Sequence, residues 1–361
     1  MVLDFAKEAV DKVESHSINF DELRAGKANI KVVGCGGMGC NAVTWLFNKG
    51  IQGATIYAAN TDALHLSVSK ADEKLLVGKE LTRGLGAGGN PTRGKEAAKE
   101  SLVDVKKAVS SADMVFVIAG EGGGTGTGMA PVVAQIAKEA GAVVIGVVTM
   151  PFESEKARID KAEFGLQELR EITDTCIVLD NNRLVDIAGQ LPLEQAFAVA
   201  NELISTMIKG IVETITLPSL INLDYADVSA IMKNGGVAVI GIGESDSKSD
   251  MVNEAVTQAL THPLLDVDYQ GATGALIHVT CGPDLKLEDF DMIGRTVSEN
   301  LNSEANVIIG ARISKDFVGK VRVVTIMTGV KSPYILGHET QQQQAVENKK
   351  QMSDLGIDMY S

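Results

Sequence analysis

Five glycines fall within seven residues at Gly122, Gly123, Gly124, Thr125, Gly126, Thr127 and Gly128. They lie between an apolar run, Met114 to Ala119, and a helical pattern from Ala130 to Ala140. A backbone without Cβ atoms lets a ligand approach closely. Amides at the positive end of a helix dipole attract anions, and Thr125 and Thr127 add hydroxyl donors with little bulk. Such a loop suits a chain of phosphates, so the sequence points to nucleotide chemistry.

Two further glycine clusters bear on the same chemistry. Gly34-Cys35-Gly36-Gly37-Met38-Gly39 follows the apolar run Ile30 to Val33 and precedes a helical pattern through Val43, Trp45, Leu46 and Phe47. Its GxGxxG spacing meets the dinucleotide pattern, which requires an acid at the end of the second strand. Here the second strand, Thr55 to Ala58, runs into Ala59-Asn60, and Asp62 is displaced into the turn. The stronger loop at 122–128 has no part in that scheme. Gly89 to Lys95 meets GxxxxGK, but Glu96 stands where a hydroxyl would be needed for Mg²⁺. Neither motif explains all the loops; a nucleotide held by several of them together does.

The elements that must hold these loops read as alternating strands and helices. The apolar runs at 30–33, 55–58, 75–77, 114–119, 143–148 and 176–179, separated by helical patterns at 94–109 and 155–173, imply a parallel sheet covered on both faces. Loops at the carboxyl ends of such strands are where ligands bind. From Leu193 to Ile215 apolar residues recur at helical spacing in a stripe wide enough to predict cover on both sides, as for a spine between two units. Strands at 237–242, 274–280, 306–313 and 321–328 and helices near 249–261 and 286–301 then form a smaller α+β unit. The expected divisions are an amphipathic extension at 1–28, a nucleotide-binding domain at 29–192, the spine at 193–216, a second domain at 217–330 and a flexible tail at 331–361. The fold class is therefore α/β: a parallel Rossmann-like sheet, a long central helix and a second, smaller domain.

Composition bounds the partners. The net charge of −14 and an aromatic content of 4% argue against nucleic acid or an anionic membrane surface. No apolar run reaches membrane-spanning length, and the start MVLDFAKEAVDKVE lacks the cationic opening of a signal peptide. The four cysteines, Cys35, Cys40, Cys176 and Cys281, show no metal spacing and fit a reduced cytosol. A soluble cytoplasmic protein is expected.

The GGGTGTG run continuing into Met129-Ala130-Pro131-Val132-Val133-Ala134, together with Asn222-Leu223-Asp224-Tyr225-Ala226-Asp227 beyond the long helical stripe, resembles the tubulin/FtsZ superfamily, most closely its archaeal cell-division GTPases. The resemblance runs from about Ile30 to Gly329 and implies GTP/GDP and Mg²⁺ as ligands. It assigns phosphate contacts to Gly36, Gly37, Met38, Asn41 and 122–128, with Asn60 and Asp62 in a second loop, where Asp62 would hold a Mg²⁺-bound water. Gly86, Ala87, Gly88 and Gly89, with Asn90, match the loop that senses the terminal phosphate. The ribose falls to Glu155 and Arg158, with Glu153 competing for the role because the segment is one residue short. Asn181 and Asn201 match the guanine readers, and Phe197, one turn before Asn201, is placed to stack on the purine.

Read alone, Asn222 to Asp227 is a turn and helix cap. By resemblance, Asp224 and Asp227, helped by Asn222, act on the nucleotide of the next subunit in a head-to-tail filament. The expected role is a polymerising GTPase of the mid-cell division ring; a non-polymerising GTP-binding regulator is the alternative. By the same resemblance the tail, with Leu355 to Tyr360, docks a membrane adaptor, without direct membrane insertion.

Overall fold

The computed structural model describes residues 28–217, 219–221, 224–233, 236–247, 250–261, 272–299 and 301–330. The expected N-terminal helix, the tail and Asn222 lie outside the described residues.

The described elements begin with β1 (Ile30–Cys35), α1 (Gly36–Lys49), β2 (Ala54–Asn60), α2 (Ala63–Val68), β3 (Glu73–Leu76) and the single turn α3 (Lys79–Thr82). Then come α4 (Pro91–Glu100), α5 (Leu102–Val109), β4 (Met114–Gly120), α6 (Thr125–Glu139) and β5 (Val143–Met150). A 3₁₀ turn at Glu153–Glu155 leads into α7 (Lys156–Ile172), β6 (Thr175–Asp180), α8 (Asn181–Ala188), α9 (Leu193–Thr216) and α10 (Tyr225–Met232). The remainder is β7 (Gly236–Ser245), α11 (Met251–Leu260), β8 (Gly274–Cys281), α12 (Leu287–Ser298), β9 (Asn306–Ile313) and β10 (Val321–Thr328).

The ten described strands form one sheet in the order β3-β2-β1-β4-β5-β6-β7-β10-β8-β9. The first six pair in parallel, and β4 and β5 are buried along nearly their whole length, as apolar strands covered on both faces must be. Chain order reverses direction between β1 and β4, which pair in register from Ile30–Met114 to Cys35–Ala119. That reversal is the switch point where open α/β sheets bind ligands. Both glycine loops leave from it.

The smaller unit does not stand apart. Strand β7 adds to β6 through Thr175–Gly236, Cys176–Val237 and Ile177–Ala238, so the sheet is continuous, and β10 then pairs antiparallel with both β7 and β8. One buried cluster reaches across this seam, from Ile30 and Phe116 through Ile204, Met207 and Ile211 on α9 to Ile240 and Ile326.

Two sequence expectations need correction. The helix read at 94–109 is two helices meeting at Ser101, whose hydroxyl accepts the Gly78 amide at 2.9 Å. The long stripe on α9 is covered only in its later part. Ile204, Met207, Ile208, Ile211 and Val212 are buried, whereas Leu193 and Phe197 are exposed. The open end belongs to a cavity. Among the described residues no helix is long and apolar enough to cross a membrane.

Candidate nucleotide site

Helix α1 starts directly after β1, α6 follows β4 with four residues between, and neither has a side chain capping its first turn. Their free amides therefore point from the switch point toward the same space. Gly36 has φ +73°, and a Cβ built there would stand 2.8 Å from the Gly126 nitrogen. The two loops can meet this closely only because Gly36 is glycine. A Cβ on Gly124 would likewise stand 2.8 Å from the Asn90 nitrogen and 3.0 Å from the Ala87 Cβ, which brings the 86–90 loop against the 122–128 loop. Gly37, Gly88 and Gly89 face open space.

Short polar contacts lock these loops together. Thr61 and Thr125 share a hydroxyl hydrogen bond of 2.7 Å. The Gly86 amide donates to the Thr61 carbonyl at 3.1 Å, and Lys161 donates to the Gly89 carbonyl at 2.9 Å. Asp62 caps α2 by accepting the His65 amide at 3.0 Å, and Asn60 lies 3.2 Å from the His65 ring. Asn90 caps α4 through the Thr92 and Arg93 amides.

Beside the glycine loops opens a cavity of about 950 Å³, at the large end for small-molecule sites. Gly37, Met38 and Asn41 enter it from α1, Asn181 from the start of α8, and Phe197 and Asn201 from α9. Asn181 is placed there because Asp180 caps α8, its carboxylate accepting the Asn182 amide at 2.8 Å. Phe197 meets Phe152 edge to face, with ring centroids 6.1 Å apart.

Glu155 and Arg158 pair at 2.6 Å, and Glu155 also accepts the Phe152 amide at 3.1 Å. A Cβ on Gly122 would stand 2.9 Å from the Arg158 Cβ, so this ion pair borders the 122–128 loop. The Glu153 amide instead donates to Asn182 at 2.9 Å. The cavity also takes in Trp45, His65, Thr149, Glu194 and Gln195, which sequence reasoning passed over. Trp45 carried a signal, since it lies one helical turn beyond Asn41 on α1.

Asp224 and Asp227 do not line this cavity. They form a reciprocal cap on α10: Asp224 accepts the Asp227 amide at 2.8 Å, and Asp227 accepts the Asp224 amide at 3.2 Å. Between them Tyr225 donates from its hydroxyl to the Asp113 carbonyl at 2.7 Å, next to the residue that opens β4. The 122–128 loop leaves from the other end of β4, seven residues on, roughly 20 Å away at strand rise. Pocket and acids thus lie at opposite ends of one strand.

Comparison with known proteins identifies the family and the fold. The model of the Tubulin/FtsZ family GTPase domain matches residues 29–189, and that of the FtsZ family C-terminal domain matches 236–331. Cell division protein FtsZ 2 of Halobacterium salinarum is 51% identical over 358 residues, covering 98% of this chain and 90% of the relative. Cell division protein FtsZ 2 of Methanocaldococcus jannaschii is 52% identical over 342 residues, 94% of this chain and 90% of the relative. The solved "FtsZ dimer, empty" of M. jannaschii superposes with a TM-score of 0.81 at 52% identity, covering 86% of this chain and 90% of that one. CetZ2 from Haloferax volcanii, 20% identical with a TM-score of 0.75 over 89% of this chain and 99% of its own, shares the fold. With uncapped glycine-loop helices at the sheet's switch point and both family domains present, the chain belongs to the tubulin/FtsZ family and is a guanine-nucleotide-binding GTPase of its FtsZ branch.

Proposed function

We propose that this GTPase hydrolyses GTP only after head-to-tail assembly, the acidic loop of one subunit completing the nucleotide pocket of the next. The filaments so formed would build the cytoplasmic division ring at mid-cell. One observation carries the reading: the Asp224–Asp227 cap and the glycine loops occupy opposite ends of β4. A surface whose two ends complement each other makes a heterologous contact, and that contact propagates into an open filament. Relatives at about half identity are cell division proteins, and one was solved as a dimer, which supports the same reading.

In this scheme residues 29–192 hold the nucleotide, 193–216 form the spine and 217–330 present the acidic loop. The amides of Gly36, Gly37, Met38 and 122–128 bind the phosphates, and Gly86 to Asn90 close on the terminal one. Asp62 suits a water-mediated Mg²⁺ contact: one carboxylate oxygen serves its helix cap, and the other remains for a hard cation's hydration shell. When bound, Mg²⁺ supplies positive charge against the phosphates. Glu155 and Arg158 take the ribose, Asn181 and Asn201 read the guanine edge, and Phe197 stacks on its face.

Each of Asp224 and Asp227 gives one oxygen to the α10 cap, and among the described residues the other is left over. Those remaining oxygens orient and polarise a water for attack on the γ-phosphorus of the neighbouring subunit, and the bond to the leaving GDP oxygen breaks as the water's oxygen bonds. The role given to Asn222 and the adaptor-docking role of the tail rest on the family resemblance.

Sedimentation and electron microscopy with GTP and Mg²⁺ test assembly. Filaments are expected above a threshold concentration, and a protein that stays small at every concentration is instead a non-polymerising regulator. The base platform is tested separately. Phe197→Ala should weaken GDP binding about tenfold, in keeping with the 1–3 kcal/mol of a base–aromatic stack, while Phe197→Trp retains it. Unchanged affinity in the alanine variant would remove Phe197 from the site.

A further inference from the structure

Beneath the phosphate loop lies an acid that the reading above does not use. Glu121 immediately precedes Gly122 and is only 5% exposed. Its amide donates to the Thr149 carbonyl at 2.9 Å, which fixes the backbone where β4 becomes the loop. A Cβ built on Gly165 of α7 would stand 2.3 Å from Glu121 Oε2 and 2.3 Å from Thr127 Cγ2. The carboxyl group therefore fills the notch that this glycine leaves, beside Thr127 on the first turn of α6.

Both Glu121 oxygens and the Thr127 hydroxyl are buried, and among the described residues none has a hydrogen-bond partner. Three orphaned polar atoms together under a ligand loop are unusual, since buried polar groups are nearly always paired.

Among the described residues no counter-charge acts on this acid. From β1 it faces the Cys35 thiol and from β6 the Cys176 thiol, both kept neutral by burial, Cys176 at about 12. From α7 the charge that bears on it is Glu168, another acid, which is held by Lys95 of α4 at 2.9 Å. Arg170 of α7 acts on Cys176. Burial pushes the Glu121 carboxyl up to about 8, opposed by the neighbouring Thr127 hydroxyl and reinforced by the charge of Glu168. A bare carboxylate here would be unpaired and would add negative charge to a cradle for phosphates.

We infer that Glu121 is a positioning residue of the phosphate loop that works as the neutral acid, sharing its O–H with Thr127, so that the nucleotide and a proton are held together. The inference rests on reading 122–128 as the phosphate loop. The proton leaves the free protein as pH rises through the carboxyl's raised range, whereas bound phosphates favour the protonated form. Affinity is therefore level below that range and falls above it.

The test is GDP binding to the full-length protein with Mg²⁺ from pH 6.5 to 9. With the carboxyl at about 8, wild-type affinity should fall about tenfold between pH 7 and pH 9, and Glu121→Gln should hold its affinity within about twofold over the same span. A second measurement needs no variant: binding heats at pH 8 in buffers of different ionisation enthalpy should reveal uptake of about half a proton. Parallel pH profiles in the two proteins, or no proton uptake by the wild type, would overturn the inference while leaving the phosphate loop in place. Absence of GDP binding at every pH would remove the phosphate-loop reading and the inference with it.

Discussion

Asp227→Ala should bind GTP as the wild type does, assemble with it, and hydrolyse it at least about a hundredfold more slowly, the usual scale for losing a residue that handles the attacking group. Binding is spared because Asp227 lies outside the nucleotide cavity, beyond the far end of β4. Assembly is spared because Asp224 retains the oxygen that accepts the amide of residue 227, so the first turn of α10 keeps half of its reciprocal cap. The cap that is lost, from Asp227 to the Asp224 amide, costs about 1 kcal/mol and leaves the fold intact. Filaments of the variant should form with GTP and fail to disassemble. Nucleotide affinity by calorimetry and phosphate release in a pelleting assay separate these outcomes. Loss of GTP binding in the variant, or undiminished turnover, would contradict the role given to the acidic loop.

Gly36→Val is expected to remove nucleotide binding while leaving a folded protein. At φ +73° the backbone disfavours any side chain, a β-branched one most of all, by about 1–2 kcal/mol. The new Cβ would also push against the Gly126 nitrogen, which stands 2.8 Å from its place, and separate the two loops that converge on the phosphates. Losing two charge-assisted amide contacts at about 1.5–3 kcal/mol each corresponds to more than about a hundredfold in affinity. Competition with a fluorescent GDP analogue measures this, with far-ultraviolet circular dichroism as the folding control. Affinity within about threefold of wild type would show that the loops do not need to touch.

Much of this molecule was legible in its sequence, for reasons that differ by element. The ranges read for β9 and β10, 306–313 and 321–328, coincide with the observed strands because apolar runs bounded by turn residues leave little freedom. The parallel sheet followed from strands with no polar face, such as β5. The glycine clusters announced close approach, and the structure supplies the partners in Gly36 against Gly126 and Gly124 against Asn90.

What stayed hidden depends on which side of an element meets what. The apolar stripe of α9 reads the same whether it is covered by protein or lines a cavity, so its spacing alone did not give the exposure of Phe197, which only the family resemblance set beside a purine. Its edge-to-face contact with Phe152 joins segments far apart in the chain. The seam between β6 and β7 rests on three residue pairs, too short to leave a pattern. Glu121 had a signal that went unread: a lone carboxylate between a wholly apolar strand and a glycine loop. Folding must then either pair that charge or neutralise it, and here burial raises the carboxyl to about 8.

The most direct measurement is GTP turnover per subunit as a function of protein concentration, with Mg²⁺ present. If pocket and acids meet only between subunits, turnover per subunit should be close to zero below a threshold and level off above it, at the concentration where filaments appear. Turnover per subunit that is the same at every concentration, including those too dilute for any filament, would mean that one chain completes its own site and would contradict the account.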